Sequence, residues 1–366
     1  RNKDMENFNE FETTDESQRG QFENDKYSRI NLFNFKFKDL PKLIDPIFPK
    51  VGVVSLVGSS DTGKSTFLRQ LALSIAFNFD EFLGYKIDTT TRNVIYVSTE
   101  DDPASTSISL KKQIQGIFQN NPIDTTCLNH LKFIFDTDLN ANSDKNLLEL
   151  LYKDLEHVGV DLIILDAFTD IFSGGDINSS TKVREFLNIF NDIAKKYNCL
   201  ILFLHHTGKH TDKYSASKNN VLGSQAFEAK MRVLLELKHY PNDDSKRTLT
   251  ITKGNYISSQ TKKYSKVLRF DEENLLFHLE GQILSDSISS LTKTNPKKDE
   301  ILPLIEKLYK EKKSIRAIET ELKSKGFKIG KSTVSNYINE LKAKTPNIIE
   351  VENLEPVKII KKDKPA

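Results

Sequence analysis

The chain has 366 residues, 37% hydrophobic and 28% charged, with a formal net charge of +2. That is the composition of an ordinary soluble globular protein, long enough for about two domains. Its two cysteines, Cys127 and Cys199, stand far apart in no metal-ligand spacing, so there is no disulfide framework and a reducing compartment is expected. No apolar run approaches the ~18–20 residues of a membrane span, and no signal-peptide pattern is present. The protein is therefore expected in the cytoplasm, without a membrane partner. Its opening on Arg1 reads as a fragment or a processed form. Charge is unevenly spread: Pro296 to Ala366 holds 17 Lys and Arg against 11 Asp and Glu, a net of +6, which leaves −4 for the rest. The basic end is a candidate nucleic-acid contact, a solvated Lys-rich surface being the plainer reading.

Residues 1–25 are polar and acidic and read as a disordered tail. Residues 26–284 read as one core, 285–298 as a linker and 299–366 as a second domain. Within the core, Phe33–Phe48 is a loop-rich lead-in to an apolar strand, Val53–Val57. Gly58–Ser65 then matches G-x-x-x-x-G-K-[ST] at every fixed position, and Leu68, Leu71, Ala72 and Ile75 follow at one-face helical spacing. Asn93–Thr99 is a strand ending at Glu100, Asp101 and Asp102, and Pro103 opens a helix to about Phe118. Leu131–Phe135 reads as a strand, Asp144–His157 as a helix, and Asp161–Leu165 as a buried strand ending at Asp166. Thr181–Tyr197 is an amphipathic helix, and Cys199–Leu204 a strand ending at His205 and His206. Such continuous apolar strands between helices predict an α/β fold with a parallel sheet covered on both faces.

Thr207–Asn220 has no periodicity and is expected to be mobile. Four strands in close succession (Val233–Leu237, Thr248–Thr252, Val267–Phe270, Leu275–Leu279) predict an antiparallel extension of the sheet. After the polar connector Ser285–Asp299, three helices are expected at Glu300–Lys310, Ser314–Lys323 and Ser332–Ala343. Ile315, Ile318, Leu322, Val334, Ile338 and Leu341 supply their inward faces, Gly326 breaks the chain, and Ser332 caps the third helix. Ile348–Val351 and Val357–Ile360 are expected to pair as a β-wing. The spacing is that of a winged helix-turn-helix, a small helical interaction domain being the other reading.

The glycine-containing loop predicts nucleotide binding. Its backbone N–H groups and the following helix N-terminus point at phosphate. Gly58, Ser59, Ser60, Asp61, Thr62, Gly63, Lys64, Ser65 and Thr66 would line ATP, Lys64 would reach the β- and γ-phosphates, and the Ser65 hydroxyl would ligate Mg²⁺. Asp61 is an odd residue for an anion-binding loop; either it points outward or it weakens affinity. Hydrolysis also needs a second Mg²⁺ anchor and a group to position water. Asp166, at the C-terminal end of a buried strand, meets the first need. Glu100 meets the second, with Asp101 and Asp102 as competitors. His206 is placed to sense the γ-phosphate or to touch nucleic acid. His205, His206 and His210 have no fixed carboxylate or cysteine partner and are not read as a metal site. Lys209, Lys213 and Lys218 suit a phosphodiester backbone, an ordinary solvated loop being the alternative.

The segments GSSDTGKST, STEDD, LIILDAF, LFLHHTGK and GSQAFEAKMRVLLEL resemble RepA-type hexameric replicative helicases of the RecA/DnaB superfamily, over roughly Phe33–Glu280. The resemblance implies a RecA-like P-loop NTPase core and a homo-oligomeric, hexameric ring around single-stranded DNA. It makes Glu100 the catalytic glutamate, Asp166 the Mg²⁺-side aspartate and His206 the sensor. The stretch ITKGNY resembles the family's K-x-N-Y, which makes Lys253 a candidate to reach a neighbouring subunit's ATP, with Arg232 and Arg247 as rivals. The C-terminal helix-turn-helix departs from that pattern and implies a plasmid or mobile-element protein that also touches duplex DNA. Lys331, Thr333, Ser335, Asn336 and Asn339 would form its exposed recognition face. The expected function is an ATPase acting as a DNA helicase. A non-motor ATP-gated DNA-binding protein and a winged-helix regulator with a nucleotide-sensing core are the rivals.

Overall fold

The computed structural model describes residues 29–34, 39–119, 121–139, 143–172, 175–208, 211, 215–223, 225–291, 296–311, 313–327, 329–343 and 349–350. The acidic tail expected over Arg1–Asp25 lies outside them. A short helix, Arg29–Phe33 (α1), belongs to a first compact unit ending at Leu40; the chain from Pro41 onward is a second.

The second unit opens with Lys42–Asp45 (β1) and Phe48–Pro49 (β2), then the wholly buried Gly52–Gly58 (β3) and the helix Lys64–Ala76 (α2). Glu81–Phe82 (β4) and Tyr85–Ile87 (β5) join β1 and β2 in a small antiparallel sheet. Strands and helices then alternate: Val94–Ser98 (β6), Pro103–Phe118 (α3), Leu131–Phe135 (β7), Ser143–Leu155 (α4), Leu162–Asp166 (β8). Phe168–Ile171 (α5), Ser180–Tyr197 (α6) and Leu200–His206 (β9) continue the pattern. Gln225–Lys230 (α7) leads to Val233–Tyr240 (β10) and Asp243–Gly254 (β11). Ser259–Lys262 (α8), Tyr264–Asp271 (β12) and Leu276–Leu284 (β13) close the core.

The main sheet runs β13-β12-β11-β10-β3-β9-β8-β6-β7. From β10 to β7 all neighbours are parallel, and from β10 to β13 all are antiparallel, as the sequence pattern predicts. The central strands read as unbroken apolar runs because both their faces are covered. Val54, Leu56, Leu162, Ile164, Leu200 and Leu202 enter one core with Phe67, Leu68 and Leu71 of α2. Val53, Val57, Ile163, Leu165, Ile201 and Phe203 enter the other with Val183, Leu187, Phe190 and Ile193 of α6. Because β3, β6, β8 and β9 are parallel, their C-terminal ends share one edge of the sheet, and that edge carries the site.

Beyond β13 the expected polar connector is partly helical, with Ser285–Leu291 (α9) following directly. Pro296–Lys310 (α10), Ile315–Ser324 (α11) and Lys331–Ala343 (α12) then enclose a separate core of Ile301, Ile305, Leu308, Ile318, Leu322, Ile329, Val334 and Ile338. Ser314 caps α11 by accepting the Ala317 N–H at 3.3 Å. The cap of α12 differs from expectation: Gly330 O takes the Thr333 and Val334 N–H groups, so Ser332 lies within the first turn. Of the expected wing, only the first strand is described. Ile349–Glu350 (β14) pairs antiparallel with β13 of the main sheet, Gly281 opposite Glu350. Its expected partner, Val357–Ile360, lies outside the described residues. The edge of β13 offers unpaired backbone groups, and a short apolar segment satisfies them as well as a hairpin would.

Candidate active site

The loop from Gly58 to Ser65 leaves β3 in a turn that only its glycines permit. Gly63 has φ +87°, and a Cβ there would meet the Phe277 ring at 2.8 Å; one on Gly58 would run into the Leu237 carbonyl. Asp61 also has positive φ, at 62°, and is exposed, so its carboxylate points outward and the loop interior stays free of negative charge. Gly63 caps α2 without any side-chain hydrogen bond, and the first turn carries no acidic residue. The start of α2, with its dipole and no acidic neighbour, thus suits an anion. Lys64 is buried and donates to Ser59 O at 2.7 Å, folded along the loop that phosphate would occupy. The Thr62 hydroxyl donates to the same carbonyl at 3.0 Å.

The carboxylate of Asp166, 1% exposed, lies beside the Ser65 hydroxyl. Its Oδ2 accepts from Tyr96 Oη at 2.7 Å, while its Oδ1 is buried with no partner. Burial pushes its pKa up to about 6, against the hydrogen bonds of Tyr96 and Ser65 that favour the charged form. An unpartnered buried carboxylate oxygen next to a hydroxyl fits a divalent cation, and Ser65 and Asp166 are the residues that would hold Mg²⁺. A cation held there neutralises charge on the β- and γ-phosphates.

Three consecutive carboxylates follow β6, and each has its own partner. Asp102 caps α3, accepting the Ala104 and Ser105 N–H groups at 2.7 and 3.0 Å. Asp101 pairs with Arg69 of α2 at 2.7 Å. Glu100 faces the phosphate side, with Oε1 at 3.2 Å from His206 Nε2. His206, with help from the Lys64 charge, holds the Glu100 carboxyl below its usual range despite partial burial. It is therefore ionised, the form a base needs to orient and deprotonate water. His206 stands opposite Gly58 in the sheet, and Thr207 N donates to Gly58 O at 3.2 Å. His205 points away into the second core, its Nε2–H donating to Leu222 O at 2.9 Å and its ring lying between the Phe168 and Phe227 rings.

The finger candidates separate by position. Arg247 lies under its own loop, its Nε donating to Thr62 O at 3.2 Å. Lys253 aligns through Leu234 with Ser55, about 10 Å short of Gly58 along the strand. Its ammonium donates to Glu228 O at 2.6 Å and pairs with the Glu228 carboxylate at 3.2 Å. Arg232 sits lower still, its N–H on Val53 O and its side chain packed over Gly52.

Of the nucleic-acid candidates, Lys209 and Lys213 lie outside the described residues, as does His210. Lys218 is described, 3.8 Å from Glu228. The described ends of the loop expected to be mobile are held. Buried Glu236 accepts Ser217 N at 2.8 Å and Asn220 Nδ2 at 3.0 Å, and Thr207 bridges to Val221. Lys331, Asn336 and Asn339 are exposed on α12, with Thr333 and Ser335 half-buried. Sequence reasoning missed Tyr96, Arg69 and Gln113, whose amide bridges Thr66 O and Leu275 O at 3.0 and 2.9 Å. Nothing local marks these residues, because each acts across 30 or more positions of chain.

A glycine-lined anion loop, a hydroxyl and carboxylate placed to hold Mg²⁺, and an ionised glutamate on one edge of a parallel sheet define a P-loop ATPase with an α/β core. The AAA domain family matches residues 17–212, more than half of the chain, and the protein belongs to that family. Among solved structures, a KaiC-like protein from the hyperthermophilic archaeon Pyrococcus horikoshii OT3 is similar at 15% identity and a TM-score of 0.45, over 65% of this chain and 93% of that one. No curated protein matches the sequence. Among the described residues no helix is long and apolar enough to cross a membrane.

Proposed function

We propose that this ATPase is a nucleic-acid motor, a DNA helicase of a plasmid or mobile element that works as a cytoplasmic hexameric ring. The observation that carries the reading is the split of its charged machinery. Lys64, Ser65, Glu100, Asp166 and His206 gather at one end of the parallel strands, whereas Lys253 lies level with Ser55 in the middle of β3, about 10 Å short of that end, with its ammonium turned to Glu228. A cation placed there cannot serve its own nucleotide, but it can serve a neighbour's in a head-to-tail ring. The loop after His206, bearing Lys209, Lys213 and Lys218, would face single-stranded DNA, and α12 would face duplex DNA through Lys331, Thr333 and Asn336. His206 then links the γ-phosphate, through Glu100, to that loop.

The test is ATP turnover with and without single-stranded DNA at low and moderate salt, with Lys64→Ala as the blank. Strong stimulation that weakens as salt rises, followed by unwinding of a tailed duplex, is the expected result. Turnover indifferent to DNA would sink the motor and leave an ATP-gated switch.

A further inference from the structure

The base that activates water must be held at a fixed distance from the phosphate, yet Glu100 sits on a loop rather than inside β6. Its two neighbours are fastened to different elements. On the N-terminal side, the Thr99 N–H and hydroxyl both donate to Asp166 O, at 2.7 and 2.9 Å, which ties the loop to β8. On the C-terminal side, Asp101 Oδ2 meets Arg69 Nη1 at 2.7 Å. Arg69 lies on α2 one turn beyond Ser65, on the helix that also begins with Lys64. We propose that Arg69 is a positioning residue, which acts through Asp101 to set Glu100 against the phosphate-binding end of α2. The inference rests on the reading of Glu100 as the catalytic carboxylate.

Stability alone accounts poorly for this pair. Arg69 is 5% exposed, and its Nε is buried with no partner. A buried ion pair returns little net stability against an apolar pair of the same shape, and an unsatisfied guanidinium N–H adds cost. A long apolar side chain would pack on α2 at lower cost. What it would lack is the directional link between α2 and the loop. Arg69 is also poorly placed to bind nucleotide itself, since its guanidinium is engaged by Asp101 and lies 3.4 Å from the Thr66 hydroxyl, inside the protein. One cation behind the phosphate loop thus sets the loop bearing the base.

The experiment uses the full chain and measures kcat and KM for ATP, affinity for a fluorescent ADP analogue, and the thermal midpoint. The variants are Glu100→Gln, Asp101→Asn, Arg69→Met, Arg69→Lys and the double variant Arg69→Met/Asp101→Asn. Asp101→Asn and Arg69→Met should each lower kcat by about 10²-fold, the loss expected from a misplacement near 1 Å. KM and the affinity for the ADP analogue should stay within about 3-fold of wild type, because ground-state binding is untouched. The double variant should fall no further than the worse single one, since both remove one link. Arg69→Lys should regain about 10-fold of the lost kcat by restoring one charge-assisted bond. Asp101 is partly exposed and its replacement leaves the core packed, so it decides the matter if Arg69→Met fails to fold. An undiminished kcat in Asp101→Asn, additive losses, or a loss carried by KM and ADP affinity would overturn the inference. If Glu100→Gln retains turnover, the catalytic reading itself fails. If it abolishes turnover while Asp101→Asn does not, only the positioning role fails.

Discussion

Replacing Gly63 by alanine probes the loop where conformation and packing meet. At φ +87° an L-residue pays a conformational penalty of about 1–2 kcal/mol. The added methyl would also sit 2.8 Å from Phe277 Cζ. Phe277 has little freedom to retreat. It is 1% exposed, its ring packs against Phe67 and Phe270 at 5.7 and 4.9 Å, and Gln70 holds its N–H and carbonyl at 2.8 and 3.0 Å. Overpacking of this kind costs about 1–3 kcal/mol, so the two terms together predict a loss of about 2–5 kcal/mol. At about 2–4 °C per kcal/mol for a domain of this size, the core transition should fall by on the order of 4–20 °C in a thermal scan. Nucleotide affinity should fall with it, because the N–H groups at the start of α2 are the ones displaced. A second substitution, Phe277→Leu, separates the terms: in the Gly63→Ala background it should recover the steric share and leave the backbone share. Gly63→Ala with unchanged melting and unchanged nucleotide affinity would refute the geometry on which the site is built.

Three further outcomes follow from the site and its surroundings. Glu100→Gln should lower kcat by about 10²–10⁴-fold while nucleotide still binds, as measured by steady-state turnover and equilibrium titration. Burial lowers the pKa of His205 to about 4, and the sign of its effect is set by the unfolded chain. Below its ordinary pKa of about 6.5 the unfolded state binds the extra proton, so stability falls by about 2 kcal/mol between pH 7 and pH 5. Urea midpoints across that range should flatten in His205→Phe, whatever its baseline, and an unchanged slope would refute the assignment. Lys64→Ala and Lys253→Ala should each be inactive alone but regain turnover when mixed. Roughly a quarter of interfaces in a randomly mixed ring then join an intact site to an intact finger, and no recovery would place Lys253 outside the neighbour's site.

Most of the core was legible because its signals are local. An unbroken apolar run followed by a glycine loop and a one-face helix needs only some twenty residues of sequence, and β3, the loop and α2 stand where that pattern predicts. The ends of β6, β8 and β9 were legible for a related reason: in parallel strands buried on both faces, the first polar residue marks the C-terminal edge. The pairing of Ile349–Glu350 with the main sheet was not legible. Two short apolar segments near the C-terminus pair equally well with each other or with any open sheet edge, and the edge of β13 lies some 65 residues away in the chain. Sequence periodicity carries no information about which edge is free.

The acidic triplet marks the same boundary at single-residue resolution. Glu100, Asp101 and Asp102 are chemically near-equivalent in the sequence, and nothing in their spacing assigns them. Structure separates them by the partner each one meets. Asp102 meets the open N-terminus of α3, a local partner that Pro103 already hints at. Asp101 meets Arg69, 32 positions away. Glu100 meets His206, 106 positions away, and is left half-exposed toward the phosphate loop. A carboxylate spent on a buried guanidinium or on a helix cap has its lone pairs occupied by structural partners. Glu100 is also charge-stabilised, by His206 and Lys64, but it is half-exposed and engages a partner through Oε1, which makes it the residue we propose as the base. Assigning the base in such a run is therefore a problem of elimination, and the eliminating partners lie on α2 and α3 rather than in the motif itself.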